Sequence, residues 1–182
     1  EERANQAAAK VKEKEPNARV QGMSNASAAE KAEIIFLAVP FSAHRETLLS
    51  LTEAIGDKVL VDVVVPLEFA EDGPHALLVE EGSMAQQARL LVPRAKVVSA
   101  FHHLDARKLQ DISKPMQGDV IVCADHKGAK KTVMEQAEKI EYIRALDGGG
   151  LGNAHYLEAW TAMLVHLNRI YKARTGIRIT GI

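Results

Sequence analysis

Four short, nearly continuous apolar runs set the tightest limit on how this chain can fold. They read IIFLAV (34–39), KVLVDVVVP (58–66), AKVVSAFHH (95–103) and GDVIVCAD (118–125). Each is rich in β-branched residues and lacks the apolar–polar alternation of a half-buried strand. Such runs belong to strands covered on both faces, the condition of a parallel sheet. Segments with a helical pattern follow the first, second and fourth of them, at 43–55 (closed by Gly56), 83–92 and 127–140. The alternation predicts an α/β, doubly wound, mostly parallel sheet with helices on both faces and no strand pair joined by a tight hairpin.

The remaining segments fill out this plan. A first helix runs to about Asn17, ended by Pro16, with the charges of Lys10 to Glu15 on a solvated face. A short strand is expected at 18–22 and a short helix at 24–32, capped by Ser24 or Asn25. Residues 67–78 read as a loop turning at Asp72-Gly73-Pro74. A strand at 142–147 precedes a long helix at 153–174, with Asn153 as its cap and Gly176 as its stop. In that helix Leu157, Trp160, Met163, Leu164, Leu167, Ile170 and Tyr171 form one stripe. A stripe this wide serves either a core or a dimer face.

Composition narrows the functional classes. With 182 residues, 47% of them hydrophobic, the chain can bury a sizeable core. A net charge of −1 gives no electrostatic case for binding nucleic acid or an anionic membrane. No apolar run approaches the roughly 20 residues of a membrane helix, and no signal peptide is recognisable. The single cysteine, Cys123, lies in an apolar run and reads as a buried thiol suited to a reducing compartment, hence a cytoplasmic expectation. The chain opens at Glu1 on an uncapped helical pattern, which leads us to expect a preceding segment.

In open α/β sheets ligands sit at the carboxyl ends of the strands. Here those ends read VPF (39–41), VVP (64–66) and FHHLDA (101–106). Apolar ends argue against hydrolysis and acid–base chemistry on a polar substrate. They fit a flat ring system, and hydride transfer between two rings needs alignment rather than a side-chain base. No catalytic side chain is therefore expected. No metal is expected either, since the chain has no H-E-x-x-H or C-x-x-C. His102 is either a structural residue or a contact at a cofactor edge; His44 and His126 read as surface groups, and Glu80-Glu81 as loop charges. The cluster LDGGGLGNAH (146–155) is not G-x-G-x-x-G, because Asn153 falls where the third glycine belongs. It reads as a turn that lets a helix approach another backbone.

Taken together and in order, EERANQAAA, AEIIFLAVPF, KVLVDVVVPL, AKVVSAFHHLDA and IRALDGGGLGNAHYLEAWTAMLVHLNRI resemble the NADPH-dependent reductases of the deazaflavin coenzyme F420 (F420H2:NADP+ oxidoreductases). The resemblance covers nearly the whole chain. It implies a Rossmann-like sheet whose first strand and glycine-rich turn are absent from this sequence. An NADP-binding part (1–108, incomplete at its start) would be followed by a part carrying the long helix, the dimer contact and the F420 cleft (109–182). By position it implies Arg3 at the NADP 2′-phosphate and Val39, Pro40 and Phe41 as an apolar edge along the dinucleotide. His102, Leu104 and Ala106 would lie near the nicotinamide and the deazaflavin. Val65, Pro66 and Leu151 would lie on the substrate side. Asp105 stands where proline is common in such proteins. The implied function is direct hydride transfer between NADP(H) and F420 in a homodimer with small-molecule cofactors as partners. The alternatives are an NADPH-dependent reductase of flavin, quinone or ferric iron, or a non-catalytic NADP-binding dimer module.

Overall fold

Three of the four apolar runs pair in parallel. In the computed structural model, which describes residues 1–182, strands β1 (Ile34–Leu37), β2 (Val59–Asp62) and β5 (Lys96–Ser99) form one sheet in the order β1-β2-β5. The fourth run supplies β6 (Gly118–Val122), which pairs in parallel with β7 (Ile143–Asp147). A two-way backbone bridge between Ser99 and Cys123 joins the two sheets. Helices α3 (His44–Ile55) and α4 (Met84–Leu91) connect the strands of the first sheet, and α6 (Lys127–Ala137) connects those of the second. The helices α1 (Glu2–Lys14) and α2 (Asn25–Lys31) precede the sheet, and α7 (Ala154–Tyr171) closes the chain.

Alternation along the central strands divides the interior. Leu60 and Val97 point to a core completed by Leu48, Leu51 and Ile55 of α3 and Met84, Ala85 and Ala88 of α4. Their neighbours Val61 and Val98 point the other way, to Val120 and Val122 of β6 and Val133 of α6. This is the two-faced burial that unbroken apolar runs require. Each side chain held fully out of water there contributes about 1.5–3 kcal/mol. Both cores draw residues from either side of residue 108, since Leu151 and Ala154 belong to the first.

Several expectations need correction. Residues 67–76 are not a plain loop but a tight antiparallel hairpin, β3 (Leu67–Phe69) with β4 (Pro74–Ala76), closed by reciprocal Ala70–Gly73 backbone bonds. The Asp72-Gly73 turn signal was present, but strands of three residues are too short to show a period. Residues 18–22 form no strand. They have no partner strand and run instead past α1, where Gly22 lies so close that a Cβ would fall 2.3 Å from Ala4. Residues 106–109 form a helical turn, α5 (Ala106–Leu109), whose N-cap Asp105 accepts from the Arg107 and Lys108 amides. The long helix ends not at Gly176 but at Lys172, in the left-handed region at φ 48°. Asn153 precedes it without a capping bond, its amide donating instead to the Gly148 carbonyl. Of the stripe only Leu157 is buried; Trp160, Met163, Ile170 and Tyr171 are exposed, so it is not core.

The glycine cluster works as a close-approach turn. A Cβ on Gly148 would lie 2.6 Å from Cys123 Sγ and 2.7 Å from Ile121 Cγ2. Gly148→Ala therefore forces apart β6 and the turn leading to α7. The expected loss is roughly 1–3 kcal/mol of stability, measured by chemical denaturation; an unchanged midpoint would contradict this packing.

Candidate active site

The register of the three-stranded sheet sets the last residues of its strands in one row, Leu37 beside Asp62 beside Ser99. Strand spacing is about 4.8 Å, so the segments that leave this row emerge side by side. They are the three apolar ends read from the sequence. The ladder persists one step further, through Val63 N–H to the Leu37 carbonyl and Ala100 N–H to the Asp62 carbonyl. Beyond that the chain is stopped by Pro40 and Pro66, which have no N–H to donate.

At this edge Pro40 and Phe41 are exposed and Val39 and Val65 half-buried, while Pro66 is buried. Phe41 opens a short 3-10 turn (Phe41–Ala43) leading into α3. An apolar groove of about 290 Å³ runs from Val39 along β1 between α2 and α3, lined by Ala28, Ile35, Leu37 and Leu51. Arg3 lies on exposed α1 with no acidic partner. These groups fit a dinucleotide in kind: apolar edges for rings and a free guanidinium for a phosphate.

The third end is stiffer. Phe101 sits at φ 69°, a left-handed conformation costly for a side-chain-bearing residue, and its ring meets Phe36 edge to face at 5.6 Å. The turn drives His102 and His103 inward. His103 donates from Nε2 to the Asp119 carbonyl at 2.6 Å. His102 is 6% exposed, and neither of its ring nitrogens has a partner. Burial, with His103 alongside, pushes its pKa down to about 3, so the ring stays neutral and donates no charge to the site. Leu104 is half-buried and Ala106 exposed beside it. Leu151 is 1% exposed and packs in the first core, where it supports this edge from below rather than facing solvent.

Beneath the apolar ends lies a polar cluster that the sequence reading missed. His44 is not a surface residue; its side chain is fully buried. Its Nε2 lies 2.8 Å from Asp62 Oδ2 and its Nδ1 3.0 Å from Gln87 Oε1. Asp62 Oδ1 accepts the Val64 amide. Glu158, from α7, accepts the Met84 and Ala85 amides at the start of α4. Apart from the Val64 amide, the partners of these side chains lie 18 to 74 residues away, so no local motif announces them. The one available signal is a lone carboxylate inside the run VLVDVVV.

The electrostatics of the cluster follow from its burial. Burial pushes the Glu158 carboxyl up to about 8, against the pull of the Met84 and Ala85 amides. Burial also opposes charging His44, but the Asp62 carboxylate, helped by Gln87 and Glu158, overcomes it and holds the ring above its ordinary pKa. Both groups therefore bind protons more tightly folded than unfolded. Their contribution to stability is present at low pH and lost as pH rises, for Glu158 between its unfolded value of 4.5 and about 8. Thermal stability is expected to fall as pH rises from about 4.5 to about 8, and Glu158→Gln to flatten that slope by roughly 1–2 kcal/mol at the upper end. Parallel pH profiles of the two proteins would show the cluster to be silent.

Comparison with known proteins identifies the family. The family model described as NADP oxidoreductase, coenzyme F420-dependent, matches residues 1–66. An F420-dependent NADP reductase of Methanothermobacter marburgensis is 40% identical over 188 aligned positions, covering all of this chain and 84% of that protein. The protein of the same name from Methanocaldococcus jannaschii is 36% identical with the same coverage. A crystal structure from an Arthrobacter species shares the fold, with a TM-score of 0.78 at 22% identity over 87% of this chain and 74% of that one. With its Rossmann-like sheet and similarity to these reductases along the whole of the given chain, the chain belongs to the family of F420-dependent NADP reductases.

Proposed function

We propose that this protein moves a hydride between NADP(H) and coenzyme F420, both held at the strand ends of the β1-β2-β5 sheet. The observation that carries this reading is the row of apolar strand ends at one sheet edge, in a chain whose relatives, matched over 84% of their own length, are named F420-dependent NADP reductases. The two cofactors supply the redox chemistry when bound. The chain's own task is to hold two flat rings face to face and keep water from between them.

Val39, Pro40 and Phe41 form one wall for the dinucleotide and Val65 and Pro66 a second. Leu104 and Ala106 close the third side, with His102 as a neutral, unchanging neighbour. Arg3 takes the 2′-phosphate, for which its fork is well suited. Leu151 acts on the substrate side through packing. None of these groups needs to exchange a proton, which matches a reaction whose cost is alignment. We further infer that two copies pair through the exposed stripe of α7, with Trp160, Met163, Ile170 and Tyr171 at the contact, and that the buried Cys123, its thiol pushed up to about 11 by burial, serves in a reducing cytoplasm.

Full-length protein mixed with NADPH and F420 is expected to bleach the deazaflavin absorbance; no bleaching overturns the reading. Arg3→Ala should raise the KM for NADPH about tenfold while leaving NADH nearly unaffected. A rat metalloreductase, STEAP3, is 35% identical over 72% of this chain and 25% of that protein. Turnover of ferric iron in place of F420 would therefore redirect the assignment to that acceptor.

A further inference from the structure

The two walls that flank the row of strand ends have little to hold them at a constant separation. Past the bond from Val63 N–H to the Leu37 carbonyl, no backbone hydrogen bond joins residues 38–41 to 63–66. Pro40 and Pro66 remove two of the donors that could have continued the ladder. The next connection is made by side chains. His44 is the first residue of α3, three residues past Phe41, and Asp62 is the last residue of β2, immediately before the second wall. The contact between them, 2.8 Å with both side chains fully buried, ties one wall to the other from beneath. Asp62 Oδ1 carries the tie onward by accepting the Val64 amide at 3.0 Å.

The hydrogen-bond chain also determines the charge of the ring. Glu81 accepts a hydrogen bond from Arg45 and another from Gln87 Nε2. A carboxylate only accepts, so the Gln87 amide must turn its NH2 to Glu81 and its oxygen to His44. The ring then faces an acceptor at each nitrogen, Gln87 Oε1 at Nδ1 and Asp62 Oδ2 at Nε2. A neutral imidazole carries one N–H and would aim a bare lone pair at one of them. Asp62 Oδ1 accepts from the Val64 amide, which leaves Oδ2 as the acceptor that faces Nε2. The titratable groups facing His44 are Asp62 from β2 and Glu158 from α7, with Glu81 behind Gln87 and Arg45 paired to it.

Resting on the functional reading above, we propose that His44 is a buried imidazolium and a positioning residue for hydride transfer: by donating from both ring nitrogens, to Asp62 and to Gln87, it sets the separation of the Val39–Phe41 and Val65–Pro66 walls. It touches neither cofactor. It acts through the backbone turns on either side of the slot, which have no polar anchors of their own. Asp62 balances its charge, so the pair adds orientation without adding a net field. The removal of either partner leaves the other buried and charged, the costly half of a buried ion pair.

The charge state is read on the full-length wild-type protein by 15N NMR of labelled histidine rings at pH 7.5. Both nitrogens of one ring are expected at imidazolium positions, with these signals lost in His44→Gln; a neutral pattern for His44 overturns the proposal. Positioning is read by steady-state kinetics of His44→Gln and of Asp62→Asn, which keeps the shape of its site and serves if the first variant folds poorly. The expected result is a fall in kcat of about tenfold or more with both KM values within about threefold, the signature of misaligned rings rather than lost binding. A kcat within twofold of wild type in both variants overturns it. Should the wild-type protein reduce no deazaflavin, the functional reading fails by itself, while the ring signals still decide whether His44 is charged, and the kcat comparison passes to the acceptor that is turned over.

Discussion

Parallel pairing of three strands, of which β2 and β5 are covered on both faces, is the constraint from which the rest of this structure follows. Such strands have no face to offer a ligand, because helices occupy both sides. Chemistry is confined to the row of strand ends, and the register of Leu37, Asp62 and Ser99 brings three connecting segments to one edge. Helices α3 and α4 then cover the face below that edge, and α7 reaches over it to place Glu158 against the start of α4.

The edge combines a dry upper layer with a charged lower one. The upper layer, Val39 to Phe41 with Val65 and Pro66, is apolar and offers no directional side-chain bonds. The lower layer of His44, Asp62, Gln87 and Glu158 is fully directional, and burial removes the competing water that would loosen it. In an apolar slot geometry has to be imposed from outside the slot, and a buried pair whose carboxylate accepts a hydrogen bond at each oxygen is a stiff way to do so. The strained Phe101 turn does the same on the third side, driving His102 inward where its ring can carry no charge.

The legibility of the molecule was uneven for physical reasons. The α/β class, the parallel sheet and the placement of the apolar ends all follow from residues close together in the chain, where β-branched runs and helical spacing act over a few positions. The hairpin β3–β4 escaped notice because its strands have only three residues each. The segment 18–22 has the composition of a strand, but a strand exists only where a neighbour completes its ladder. His44, on the helix after Pro40, reads as a surface group; its burial depends on Asp62 and Gln87, 18 and 43 residues away.

By itself the sequence determined the kind of fold, the apolar character of the ligand edge and the absence of any metal-binding or nucleophile motif, since these depend on local composition and period. Its resemblance to the deazaflavin-dependent reductases also carried over the positions of the edge residues. Only the tertiary structure decided that a histidine and two acids lie beneath that edge, that Leu151 supports it from within a core, and that the α7 stripe is left uncovered. Hydrogen bonds and ion pairs act across space at about 3 Å, and which side chains come within that distance is settled by the packing of elements far apart in the chain.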